Sequence, residues 1–121
     1  MKDRRSYSRI KVNIPVTLYT DGFGEISGTA IDLSEDSLGI LISKSNYKYI
    51  TMNSLMRVQF LDKFEIGNTK VTEIITVSII AVRAESVGNT ISLGCIVRDS
   101  NFDEYVIKKK FADYYNKTMN N

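Results

Sequence analysis

Asp32-Leu33-Ser34-Glu35-Asp36-Ser37-Leu38-Gly39-Ile40-Leu41-Ile42 is the stretch whose reading decides the fold. Leu38, Ile40 and Ile42 fall on alternate positions, the period of a strand with one face in a core. Ser34 to Ser37 reads as a polar turn. A strand over about Glu25 to Leu33, this turn and a strand over Leu38 to Ser43 make a hairpin, and hairpins assemble into antiparallel sheets.

The same pattern extends to both sides. Upstream, Val12, Ile14, Val16 and Leu18 alternate with polar residues, and Pro15, which has no amide proton, suits an edge strand or an irregular start. Asp21-Gly22-Phe23-Gly24 supplies the reversal between that strand and the hairpin. Downstream, Ser45 to Ser54, with Tyr47, Tyr49 and Met52, reads as a loop or short helical turn. Leu55 to Leu61 is a fourth strand, Gly67-Asn68 a turn, and Thr69 to Glu85 one long bent strand rich in β-branched residues. Gly88-Asn89 turns into a last strand, with Ile91, Leu93, Cys95 and Val97 on one face. From Ser100 to Lys117 the period changes: Phe102, Tyr105, Val106, Ile107, Phe111, Tyr114 and Tyr115 recur mostly at three- and four-residue steps, placing them along one broad side of a helix. Ser100 with Asp103 is an N-capping arrangement, and Asp103 and Glu104 complement the helix dipole. Lys108, Lys109 and Lys110 read as a solvated helix turn. The expected fold is all-β with one terminal helix, a closed or nearly closed antiparallel barrel with a helical lid.

Composition bounds the chemistry. The 121 residues, 43% hydrophobic and 25% charged, suit one globular domain. No histidine and a single cysteine, Cys95, in an apolar stretch leave no Ser-His or Cys-His pair and no common zinc set, and no carboxylate pair stands out for acid-base work, so an enzyme is not expected. The longest apolar run, Ile74 to Ala84, is interrupted by Thr76, Ser78 and Arg83, and no secretory leader is seen, so the expected location is the cytoplasm without membrane insertion. The net charge of +2 is uneven: Lys2, Arg4, Arg5, Arg9 and Lys11 stand against the single acid Asp3 in the first eleven residues. These form a basic arm, 1–11, ahead of a barrel-and-helix unit, 12–117. A basic tip argues for a local anionic partner rather than the broad basic face of a nucleic-acid binder.

Two short motifs carry the candidate site, Arg4-Arg5-Ser6-Tyr7-Ser8-Arg9 in the arm and Asp32-x-Ser34 in the hairpin. Guanidinium groups grip phosphate oxygens through planar forks and stack on purines, while a carboxylate accepts from the amino and imino edge of guanine. Singly, the arm reads as a solvated tail and Asp32-Ser34 as a self-satisfied turn.

In their order and spacing these features resemble the PilZ domain family over nearly the whole chain. Arg5 and Arg9 match its Arg-x-x-x-Arg motif, and Asp32 and Ser34 match the start of its Asp/Asn-x-Ser-x-x-Gly motif. Ser37 stands where the motif glycine falls, Gly39 follows two residues later, and Leu93-Gly94 matches a looser glycine feature near the end of the barrel. The resemblance implies a six-stranded antiparallel barrel plus C-terminal helix that acts as a bacterial receptor for cyclic di-GMP and needs no cofactor. It assigns Arg5 and Arg9 to the phosphates and guanine faces, Asp32 to a guanine edge, and Ser34 to the ligand or the turn. It leaves Ser37 and Gly39 beside the ligand and gives Arg4 the second molecule of a stacked ligand dimer. Where the turn needs positive φ at Ser37, serine costs about 1 kcal/mol of strain. The arm is expected to be mobile when free and to fold over the barrel on binding, signalling to a partner protein. The alternatives are a PilZ-like adaptor that binds no nucleotide and a barrel binding single-stranded nucleic acid through aromatics such as Tyr47, Tyr49 or Tyr105.

Overall fold

The computed structural model describes residues 8–99 and 101–119. Six strands are followed by one helix: β1 Ile10–Thr20, β2 Gly24–Ser34, β3 Ser37–Ser43, β4 Leu55–Ile66, β5 Thr69–Val87, β6 Thr90–Val97 and α1 Phe102–Met119. The strands close into an antiparallel barrel in the order β1-β2-β3-β6-β5-β4. Alternate residues of every strand fill it: Ile14, Val16 and Leu18 from β1, Leu38, Ile40 and Ile42 from β3, and Ile91, Leu93, Cys95 and Val97 from β6 are all buried. Burial pushes the Cys95 thiol up to about 12.

The ends of the barrel are closed differently. At one, a 3-10 turn over Lys44–Tyr49 packs Tyr47 and Tyr49 against the core, and the Tyr49 ring stacks on Phe23 of the β1–β2 turn at 3.6 Å. At the other lies α1, which buries Phe102, Tyr105, Val106 and Ala112. The expected single stripe is therefore split. Ile107, Phe111 and Tyr114 are 54%, 51% and 67% exposed, because the barrel mouth accepts only one side of the helix. Tyr105, proposed above as an exposed aromatic, is buried, its hydroxyl donating to Asp62 at 2.7 Å. The N-cap reading of Ser100 lies outside the described residues.

The lysine run is not a solvated turn. Lys108 pairs with Glu73 at 2.6 Å, Lys109 with Asp62 at 2.8 Å and Lys110 with Glu35 at 2.7 Å, so successive lysines tie α1 to β5, β4 and the β2–β3 turn. Asp62 and Glu73 face each other across β4 and β5 on the inward-pointing set, and two adjacent carboxylates there repel until the helix brings cations to them. This also explains why β4 runs on to Ile66, past the hydrophobic limit at Leu61: Asp62, Lys63 and Glu65 break the apolar pattern while keeping the ladder with β5. Pro15 sits beyond the short β1–β4 ladder, which joins only Thr17–Tyr19 to Arg57–Gln59, so the closed barrel accommodates it without a free edge strand.

Candidate functional site

Two irregularities in the ladders build the site. On β2 the register shifts between Ala30 and Asp32, and on β5 between Ala81 and Arg83. An extra residue at such a point, Ile31 or Val82, reverses the alternation, so a side chain due to point inward comes to the outer wall. Asp32 and Arg83 are the residues turned outward. Between them, β3 and β6 place Gly39 opposite Gly94, and the register reads Asp32, Gly39, Gly94, Arg83 across four adjacent strands.

Both glycines lie in close approach to those two side-chain tips. A methyl on Gly39 would lie 2.7 Å from Asp32 Oδ1, and one on Gly94 would lie 2.7 Å from Arg83 Nη2. The carboxylate and the guanidinium therefore lean inward over a floor with no side chains. The cavity they border has a volume of about 410 Å³ and is also lined by Arg9, Glu85 and Ser92, within the size range of small-ligand sites. A flat aromatic base fits such a floor, with an acceptor at one wall and a cation at the other.

Arg9 reaches this cavity from just before β1, donating from Nη1 to Asp32 Oδ1 at 2.6 Å. The structure thus brings together Arg9, Asp32 and Gly39 of the sequence-predicted set. Ser34 is fully buried, and its hydroxyl is held by Ser37 Oγ at 2.6 Å and Asp36 Oδ1 at 3.1 Å, so it fixes the turn. Ser37 opens β3 directly opposite Ser34, and it is not among the positive-φ residues. The strain anticipated for serine there does not arise, because Glu35 and Asp36 alone form the reversal and the Ser37 hydroxyl is used in closing it. Arg4 and Arg5 lie outside the described residues, as does the arm over 1–7.

Two residues escaped the sequence reading. Arg83 looked like a mere interruption of an apolar run, although a lone cation in such a run was the available signal. Lys110 looked solvated, yet besides Glu35 it donates to the Ser8 carbonyl at 2.9 Å, joining the residue next to Arg9, the motif turn and α1 at one ammonium. A larger cleft of about 650 Å³ lies between β1, β4 and α1, but its buried carboxylate, Asp62, is already taken by Tyr105 and Lys109. That contact and burial raise the Tyr105 phenol far above its usual range, burial being the larger cause. No group of side chains suited to a metal ion occurs among the described residues, and no helix there is long and apolar enough to cross a membrane.

No family model matches the sequence. No curated protein matches it either. Solved structures do match in three dimensions. The Bacillus subtilis inhibitor of motility, MotI/DgrA, superposes with a TM-score of 0.74 at 12% identity, over 96% of this chain and 54% of that one. The chain thus spans about half the length of that protein. The PilZ domain of YcgR from Escherichia coli, solved with c-di-GMP, gives 0.69 at 10% identity, over 97% of this chain and 95% of the domain. The Borreliella burgdorferi PlzA protein in complex with c-di-GMP gives 0.54 at 13% identity, over 88% of this chain and 51% of that one. Strand count, barrel closure and the terminal helix agree with this likeness, and the chain has the PilZ fold.

Proposed function

We propose that this chain is a cyclic di-GMP receptor, binding the nucleotide on the outer wall of the barrel and signalling to a partner protein. The observation that carries the proposal is the four-strand row Asp32, Gly39, Gly94, Arg83, a bare floor between an acceptor and a cation, with Arg9 beside it. Two similar folds, those of YcgR and PlzA, were solved with c-di-GMP, which supports the choice of ligand.

The residue roles follow from their chemistry. A guanine lying on Gly39 and Gly94 offers its N1 and N2 protons to the Asp32 carboxylate, while Arg83 stacks on the base or meets a phosphate. Arg9 exchanges Asp32 for a phosphate, and the freed carboxylate is satisfied in turn by the guanine edge. Arg5 takes the other phosphate, and Arg4 serves a second, stacked ligand molecule. Ser34 and Ser37 hold the turn that aims Asp32.

The exchange at Arg9 is also the step that transmits the signal. The Ser8 carbonyl lies on Lys110, and Lys110 lies on Glu35, so drawing the arm onto the ligand strips one acceptor from a helix lysine. A changed arm and α1 are what the partner would read.

Calorimetric titration with cyclic di-GMP tests the assignment. The wild-type chain is expected to bind, and Arg9→Ala, Asp32→Ala and Arg83→Ala each to weaken binding by about 10-fold or more, the loss of one charge-assisted contact. Undiminished heat in all three variants refutes the site. A wild-type chain that takes up no nucleotide at saturating dose favours an adaptor of the same fold.

A further inference from the structure

The terminal helix is apolar on two opposite sides, and only one of them is covered. Phe102, Tyr105, Val106 and Ala112 face the barrel. On the far side Ile107, Phe111 and Tyr114 follow at steps of four and three residues and are each more than half exposed. That spacing is the seam of a helix pair, whereas a helix packed on a domain by one face ordinarily presents polar residues outward. Tyr115 leans the other way, tilted against Phe111 and over the Gly67 turn, and Asn116 receives the Gly67 amide proton at 2.9 Å. Contacts at its C-terminal half therefore hold the helix rigidly, with the seam outward.

We propose that this face is a homodimer interface, occupied by the same helix of a second copy running antiparallel. Charge distribution selects both the partner and its direction. The first turn is acidic through Asp103 and Glu104, and the last turn is basic through Lys117. With a twofold axis beside Phe111, Ile107 of one copy packs on Tyr114 of the other. The two Phe111 rings meet at the axis, and Asp103, on the same flank as Lys117, lies beside the partner copy's lysine. A parallel pair would set acid against acid and lysine against lysine, and would align the helix dipoles unfavourably. The antiparallel contact is self-complementary, as a twofold interface has to be. Lys117 is free to take part: its only recorded partner among the described residues is Asp113 at 3.2 Å, with both side chains more than 60% exposed.

Sedimentation equilibrium of the full chain without nucleotide tests this independently of any ligand. The wild type is expected to be a monomer–dimer equilibrium, and Phe111→Glu to raise the dissociation constant by about 30-fold or more, the loss of a central aromatic anchor. Asp103→Lys and Lys117→Asp should each weaken the dimer, and the double variant should recover it. Disulfide formation between an Ile107→Cys chain and a Tyr114→Cys chain should exceed that within either variant alone, and buried Cys95 does not compete. A wild type monomeric at its highest soluble concentration overturns the proposal and leaves the face to a different protein. A dimer indifferent to Phe111→Glu, or no recovery in the double charge variant, also overturns it.

Discussion

Gly39→Ala separates the architecture of the site from the stability of the barrel. The added methyl would stand 2.7 Å from Asp32 Oδ1, 3.0 Å from its Cγ and 3.1 Å from Oδ2. Ordinary contact begins near 3.4 Å, so the carboxylate must shift by about 0.7 Å, which disturbs its 2.6 Å contact with Arg9. The pair is about a quarter exposed at both side chains, and such pairs contribute about 0.2–1 kcal/mol. Alanine in a strand recovers about 0.5 kcal/mol relative to glycine, so the net loss of stability is about 1 kcal/mol or less. Binding should suffer far more. The methyl raises the floor under the base by about 1.5 Å and moves the acceptor that reads it, for which a loss of about 100-fold, or roughly 2.7 kcal/mol, is expected. Gly28→Ala is the control. There the new methyl meets the Leu41 carbonyl at 2.9 Å and two isoleucine methyl groups at 3.1 and 3.2 Å. A backbone carbonyl has nowhere to go, so this variant should lose about 1–3 kcal/mol of stability with the affinity of the folded protein intact. Urea denaturation alongside calorimetric titration measures both quantities. Wild-type affinity in Gly39→Ala, or an equal affinity loss in Gly28→Ala, would show that the glycine floor is not where the nucleotide lies.

Ser37→Gly, which restores the residue found in the family motif, should destabilise the chain by about 1 kcal/mol, since it removes the 2.6 Å bond to buried Ser34; a gain in stability on denaturation contradicts the turn geometry described. Lys109→Met should cost about 3 kcal/mol by leaving buried Asp62 only the Tyr105 hydroxyl, while Lys117→Met changes the melting temperature of the dilute, monomeric chain hardly at all, and equal effects would mean the helix is not clamped at the barrel mouth. Cys95 should be inert to thiol reagents near pH 8 until the protein unfolds. Its thiol titrates at about 12 when folded against 9.0 ordinarily, so the stability that protonation confers is whole below about pH 9 and falls as pH rises toward 12. The slope from this group is at most about 1.4 kcal/mol per pH unit. Cys95→Ala should flatten the pH–stability curve in that window, and an unchanged slope would disprove the account.

Much of the fold was legible because strand alternation is a local property. Leu38, Ile40 and Ile42, and Ile91 through Val97, announced their inward faces, and Gly67 and Gly88, both at φ +60°, marked the turns that need a left-handed residue. Helix amphipathicity was read as one broad stripe because periodicity counts apolar residues without knowing how wide a surface awaits them. The lysine run misled for a related reason: a charge looks solvated until its partner, distant in sequence, is brought beside it.

For the site, the sequence by itself determined the residue types: arginines near the start, a carboxylate two residues before a serine, glycines in two strands. Tertiary structure alone decided which of them meet. Asp32 and Arg83 are fifty-one residues apart, and each points outward only because a ladder irregularity reverses its strand's alternation. Gly39 and Gly94 become a floor only because β3 and β6 are neighbours in the closed barrel. Side-chain chemistry is fixed residue by residue, whereas register and closure depend on pairings between strands remote in the chain, which is why Asp32 and the glycines were foreseeable while Arg83 and the row they share were not.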